Sequence, residues 1–353
     1  MNDMGALATL PAAEFSAAAS LAPPLPAQSP ASTPRVSILL LCYRDAAYIR
    51  AAIDSAFAQT VACEIIISND CSDDGTFELA VEQVAAYRGP HQVSVRRTAS
   101  NRGVTAHFNE VMALASGDII VMMAGDDIAY PQRVATILDA FGRAPQAMVL
   151  GSDFDGIDTD GSPVRISFRQ RPERYEFDYY VRIGRLIGLL GATLAFRRCV
   201  FDRFGPLLGP IEDNALSLRG ALLGQSLCLR QPLIQYRRHS GSVSGTVFAR
   251  DEPREVAMRR RYERTVQFYR GTADDLDACL RQIPDLPAKK RRLAEQVLAM
   301  YRIEAQAREA ILLQPRWRWI GPVMRGLAQR GLRRKSAERA LKLLIPRAWF
   351  GLR

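Results

Sequence analysis

Two carboxylates stand side by side at Asp126 and Asp127, just after the apolar run 119–123 and Gly125. Adjacent acids repel, and a divalent cation is the usual counter-charge. Oxygen ligands suit Mg2+ or Mn2+, which keep positions open for phosphate oxygens. A second pair, Glu212 and Asp213, precedes the stretch 214–223 of helical spacing. A carboxylate beside a reacting hydroxyl can take up its proton. Each pair also has a plainer explanation, since an acid at the start of a helix caps it. Other polar groups fall at similar places: Asp45, the run Asp70-Cys71-Ser72-Asp73-Asp74, the turn Asn101-Arg102-Gly103, and Arg237-Arg238-His239 followed by Ser240 and Ser242. Cations and hydroxyls gathered after a strand suit contact with a diphosphate.

The apolar run 119–123 is too short for a helix and suits a strand covered on both faces. Residues 36–43, 64–69 and 92–98 read as three more strands, and 46–59, 77–88 and 105–115 have helical spacing. Strand, turn and helix alternating with short connections predict a mostly parallel, doubly wound α/β sheet flanked by helices. The polar groups then gather where the strands end, on the edge where such sheets bind ligands. Residues 148–153 read as a further strand. The acids of 155–161 are spaced like a calcium loop, but the downstream Glu is missing, so a turn between two strands is expected. The small apolar stretch 188–196 would let an acceptor molecule approach the backbone closely. No Gly-x-Gly-x-x-Gly follows the first strand, which leaves dinucleotide binding of the usual kind unsupported. No Gly-x-x-x-x-Gly-Lys-Ser/Thr occurs, which excludes P-loop chemistry.

The 353 residues are 48% hydrophobic and 24% charged, a globular composition with material for a core. No apolar run reaches the roughly 18 residues that a membrane span needs. The six cysteines are scattered without a CxxC, which points to reduced thiols in a cytosolic protein rather than a disulfide framework or a zinc site. The net charge of +10 is uneven: 22 Lys and Arg face 25 Asp and Glu through residue 249, 25 face 12 beyond it, and 11 face 1 from Arg316 onward. A uniformly basic nucleic-acid binder has another profile, so no nucleic-acid partner is expected. Residues 1–34, rich in Ala, Pro and Ser, lack the charged and apolar regions of a signal peptide and are expected to be a disordered leader. From Arg250 the pattern is helical, over Arg254–Arg281 and Ala288–Leu313. Beyond, Trp317, Trp319, Ile320, Val323 and Met324 interleave with arginines, and Trp349 and Phe350 continue the pattern. An amphipathic stretch of Trp and Arg suits anionic lipid. A helical subdomain packed on the rest, with solvated charges, accounts for the same pattern.

Residues 35–245, about 60% of the chain, resemble an inverting GT-A-fold glycosyltransferase of family 2. Ser68-Asn69-Asp70-Cys71-Ser72-Asp73-Asp74-Gly75-Thr76 is similar to that family's V-D-D-x-S-x-D-x-T turn. Asn101 to Asn109 resembles its N-x-G stretch, Gly125-Asp126-Asp127 with Pro131 its D-x-D-D site, Glu212-Asp213 its E-D pair, and Tyr236 to His239 with Ser242 its late R-x-H segment. Two positions depart: Asn69 replaces the first acid of the turn, and Ala124 stands where the first Asp of the D-x-D usually does.

The resemblance implies a Rossmann-like GT-A catalytic domain over 35–249, after the 1–34 leader and before a basic α-helical region, 250–353. It implies that Asp45 and Asp70 contact the base and ribose of a nucleotide sugar, with Arg102 near the base or the diphosphate. Asp126 would hold Mg2+ or Mn2+, with Asp127 and His239 contributing to the nucleotide-sugar site. With Ala124 in place of an acid, metal binding leans on the nucleotide's own phosphates. Asp213 would be the base, and Glu212 an acceptor or structural contact. The expected reaction is inverting transfer from a nucleoside-diphosphate sugar, UDP-linked, to a saccharide or lipid-linked acceptor in bacterial surface polysaccharide or glycan biosynthesis. The expected place is the cytoplasm, with the C-terminal helices touching anionic membrane at its inner face. Two other readings stand beside it. A sugar nucleotidylyltransferase shares the sheet and the metal, but Cys42-Tyr43-Arg44-Asp45 lacks the glycine of its first turn. A non-catalytic membrane-associated scaffold is favoured by Ala124 and disfavoured by Asp213 and His239.

Overall fold

β1 (Val36–Cys42) is an apolar strand, buried along its length except at half-buried Leu41. A strand of this kind lies inside a sheet that carries helices on both faces. It is followed by α1 (Ile49–Phe57), β2 (Glu64–Asn69), α2 (Thr76–Ala86), β3 (Gln92–Arg97), α3 (Val104–Met112) and β4 (Ile119–Ala124), as the sequence pattern predicts. The structure, a computed structural model, describes residues 35–166, 172–239 and 254–343. The expected leader, 1–34, lies outside the described residues, as do Ser240, Ser242, Trp349 and Phe350. α1 starts three residues later than its spacing suggests, because Asp45 O accepts the N–H of both Tyr48 and Ile49 at 2.8 Å and holds residues 45–48 in a turn.

The chain continues through β5 (Ile128–Ala129), α4 (Arg133–Arg143), β6 (Ala147–Ile157), α5 (Phe177–Ile183), β7 (Ala195–Arg197), α6 (Cys199–Phe204), α7 (Glu212–Leu223) and β8 (Gln225–Arg237). The eight strands lie in the order β3-β2-β1-β4-β7-β6-β8-β5. β3, β2, β1 and β4 run parallel, and so do β6 and β8. β7 is antiparallel to both of its neighbours, and β5 to β8. The sheet is thus mostly parallel, with short antiparallel insertions. Leu41 pairs with Ser68 on one side and with Ala124 on the other, so the carboxyl ends of β1, β2 and β4 share one edge. Asp158, the first acid after β6, is turned to the backbone: its Oδ1 accepts the N–H of Asp160 and Ser162 at 3.0 and 2.9 Å. That is an Asx-type turn, closed by a single bridge between Ile157 and Pro163, with no second strand following it among the described residues up to 166.

The C-terminal part is α8 (Arg254–Arg281), α9 (Ala288–Leu313), α10 (Ile320–Ala328) and α11 (Arg333–Leu343). Tyr269, Leu276, Val297 and Tyr301 of α8 and α9 are buried in one cluster with Phe177, Leu189 and Leu216. The charged helices therefore share a core with the sheet region. Arg219 of α7 and Asp275 of α8, both at least 98% buried, form a bidentate pair at 2.6 and 2.9 Å. Arg219 also donates to Gly205 O and Pro206 O, so α7 is seated from two sides. No helix among the described residues is long and apolar enough to cross a membrane.

Candidate active site

The turns after β1 and β2 are held in strained backbone. Arg44 and Cys71 have φ of 58° and 59°, a region L side chains rarely occupy. Asp45 follows the first of these turns, and its carboxylate accepts the N–H of Tyr43 at 2.9 Å. Burial, and next the charge of Asp126, push its carboxyl up to about 7. Gly125 permits this approach: a Cβ there would lie 2.5 Å from Asp45 Oδ2.

Asp70 is directed to the protein itself. Its Oδ1 accepts Thr98 Oγ1–H at 3.0 Å and the N–H of Arg102 at 2.9 Å, and its Oδ2 accepts the N–H of Gly103 at 2.9 Å. It holds the 101–103 loop against β2. The Arg102 side chain turns to the surface and pairs with Glu110 at 2.7 Å.

Asp126 and His239 meet although 113 positions separate them: Oδ2 and Nε2 lie 2.9 Å apart. The pairing of β5 with β8 carries the end of β8 to the end of β4. The ring of Tyr48 packs on that of His239, with centroids 4.9 Å apart. Arg237 lies over the other partner of this group, its guanidinium 4.7 Å from the Tyr48 ring centroid. Arg237, expected among diphosphate contacts, is 4% exposed and donates inward to Asp126 O and Asp158 O. Asp127 is buried as well, and its Oδ1 accepts the N–H of Arg237 at 2.8 Å. Burial, and then the charge of Asp126, raise its carboxyl well above the usual range. Asp127 thus ties β8 to the β4 turn. Tyr48 and Arg133 carry no sequence signal for a site. Arg133 is a buried cation on an amphipathic helix, where burial lowers its pKa to about 10, and it donates to Met122 O and Ala192 O at 2.7 and 2.9 Å.

The second acidic pair opens α7. Glu212 is its first residue, and the residue before it, Ile211, makes no side-chain cap. Neither acid caps from outside the helix, and Asp213 Oδ1 accepts its neighbour's N–H, from Asn214, at 2.6 Å. Burial, followed by the charge of Asp213, pushes Glu212 up to about 7. The small residues expected to admit an acceptor form a 3₁₀ turn, Gly191–Thr193, against this pair. A Cβ on Gly191 would lie 2.8 Å from Glu212 Oε1. The same turn is fastened to β4, since Met122 N–H donates to Leu194 O at 2.9 Å and Arg133 bridges Met122 O to Ala192 O. Both acidic pairs are therefore brought to the carboxyl end of β4.

A carboxylate and an imidazole 2.9 Å apart are donor types that a divalent cation accepts. The repulsion between Asp126 and Asp45 is what such a cation would relieve. Among the described residues no group of three or more His, Cys, Asp and Glu side chains could hold a metal. Asp126 and His239 fit a cation that completes its shell with oxygens of a ligand.

Residues 37–205 match the family model described as Glycosyl transferase family 2. An uncharacterized protein of Mycobacterium tuberculosis is 27% identical over 211 residues, 59% of this chain, and the match spans 60% of that relative's length. The structure of Staphylococcus aureus TarS 1-349 in complex with UDP-GlcNAc superposes with a TM-score of 0.55 at 16% identity, over 84% of this chain and 81% of that one. The mannosyltransferase PcManGT from Pyrobaculum calidifontis, in complex with GDP-Man and Mn2+, superposes with a TM-score of 0.51 at 16% identity, over 92% and 85% of the two chains. At such identity the likeness shows the shared GT-A fold.

Proposed function

From the premise that residues 37–205 of this chain belong to glycosyl transferase family 2, we propose that it is an inverting, metal-dependent glycosyltransferase. The donor is a nucleoside-diphosphate sugar, a UDP-sugar in the first instance, and the acceptor a saccharide or lipid-linked saccharide of a surface glycan. The observation that carries this reading is the convergence of two unlike centres on the end of β4: the Asp126–His239 pair and the Glu212–Asp213 pair.

Asp126 and His239 would hold Mg2+ or Mn2+ against the donor diphosphate. An imidazole ligand favours Mn2+, since Mg2+ keeps to oxygen ligands and water. The ion's chemistry is to neutralise charge on the leaving diphosphate. Asp45, beside Asp126, and the loop that Asp70 pins support the nucleoside, with Arg102 at the rim of that loop. Asp127 acts from behind by fixing Arg237 and so the approach to His239. Asp213 takes the proton of the acceptor hydroxyl as its oxygen attacks C1 of the sugar. The bond from C1 to the diphosphate breaks, and the configuration at C1 inverts. Glu212, held largely protonated below about 7, can donate a hydrogen bond to the acceptor.

The C-terminal helices support a contact with anionic membrane. Trp317, in the 3₁₀ turn Arg316–Trp319, and Ile320 and Met324, in α10, are 66%, 51% and 59% exposed, with Arg318 and Arg325 next to them in the chain. The pattern is that of an interfacial helix.

The test of transfer chemistry is release of nucleoside diphosphate from UDP- and GDP-sugars with Mn2+ and no acceptor. Release that disappears in Asp126→Asn supports the reading. No release from any donor by folded protein removes it.

A further inference from the structure

A cavity of about 380 Å3 lies among α8, α9 and α11, apart from the donor and acceptor groups. Arg261, Arg308, Lys335 and Arg339 line it with Tyr262, Thr265 and Glu338. Beneath it sits Glu304, fully buried. Glu304 accepts from Arg308 at 2.5 Å, from Arg339 at 2.5 and 3.2 Å, and from Lys335 at 3.2 Å. The guanidinium of Arg308 is also stacked 4.5 Å from the Tyr269 ring centroid. Three of the lining cations, Arg308, Lys335 and Arg339, thus converge on the one carboxylate of Glu304, while Glu338 pairs with Arg334 at 3.3 Å. A fixed, partly dehydrated cation cluster with hydroxyls at its wall is complementary to an anion rich in acceptor oxygens.

We propose that this cavity binds the phosphate or diphosphate head of a lipid. The carriers of that chemistry are an acidic phospholipid and a lipid-diphosphate-linked acceptor. Two further observations favour a lipid over a free anion. Tyr262 at the cavity wall also packs on the cluster of Ala310, Ile311 and Trp319, and Trp317 and Ile320 beside that cluster are exposed apolar residues. A head in the cavity therefore has an apolar surface next to it for its chain. The cavity is also tied to the acceptor side. Lys335 Nζ donates to Gly184 O at 2.8 Å, and the chain from Gly184 to Gly191, beside Glu212, spans at most about 25 Å. The site rests on the transferase reading only for its purpose, since head-group binding is measured with no donor present and the two fail separately.

The experiment is calorimetric titration of the full chain with inorganic pyrophosphate in EDTA, which removes any metal-dependent diphosphate binding at the donor site. Arg261→Glu, on an exposed residue, and Lys335→Gln are compared with Arg143→Glu, a distant exposed charge on α4. Loss of one charge-assisted contact is expected to weaken binding about tenfold or more. Both cavity variants lose it and Arg143→Glu keeps it. If Lys335→Gln unfolds, Arg261→Glu carries the test alone. Displacement of pyrophosphate by farnesyl diphosphate assigns the site to a diphosphate-headed lipid. Displacement by phosphatidylglycerol vesicles, and not by phosphatidylcholine vesicles, assigns it to a phospholipid head. Absence of saturable binding, or binding that Arg261→Glu leaves unchanged, overturns the proposal, as does pyrophosphate binding that neither lipid displaces.

Discussion

Replacing Glu304 with Gln should destabilise the fold by about 3 kcal/mol at neutral pH, and the deficit should vanish in acid. Glu304 is fully buried. Burial alone raises its pKa, but the Arg339 hydrogen bond and the charges of Arg308, Arg339 and Lys335 more than reverse this, to about 2 from 4.5. A difference of roughly 2.5 pKa units is worth about 3 kcal/mol in favour of the folded state. The sign follows from the depressed pKa. That stability is complete above 4.5, the unfolded value, and is lost as pH falls toward 2. The variant cannot ionise there, and it leaves Arg308, Arg339 and Lys335 facing one another. Urea unfolding of both proteins from pH 3 to 7 reads the gap directly, because all other carboxylates titrate in both. Equal stabilities at pH 7, or a gap that stays constant down to pH 3, would refute the electrostatic account of this hub.

Asp213→Asn should lower kcat by about 10²- to 10⁴-fold, the usual worth of a general base, with donor binding kept in a titration. Arg219→Leu should cost about 3–5 kcal/mol in urea unfolding, since it leaves buried Asp275 without its cation. Gly191→Ala places a Cβ 2.8 Å from Glu212 Oε1. It should displace that flexible acid and reduce kcat/KM for the acceptor, with the unfolding midpoint little changed. Trp317→Glu should reduce flotation with phosphatidylglycerol vesicles, since Trp317 is an apolar side chain 66% exposed.

The parallel half of the sheet was legible because continuous apolar runs declare buried strands. β2, α8 and α9 fall where their patterns predict. β5 and β7, of two and three residues, are too short to carry a period. Their pairings over long separations decide the site, for β5 against β8 brings His239 to Asp126. The positions of Asp126, His239, Glu212 and Asp213 could be named from motif resemblance. The inward turn of Asp70, Asp127 and Arg237 could not, because it depends on which backbone N–H groups point at them. Glu304 and Asp275 gave no local signal at all, each being one acid among many arginines on a charged helix.

The most direct measurement is a thermal-shift panel of UDP, GDP, TDP and their sugars, with and without Mn2+, on the wild type and Asp126→Asn. The account predicts a rise in unfolding temperature for one nucleotide that requires Mn2+ and disappears in the variant. A flat panel with folded protein would contradict it. Ala124, standing where an acid usually does, would then have cost the chain its donor site and left a scaffold.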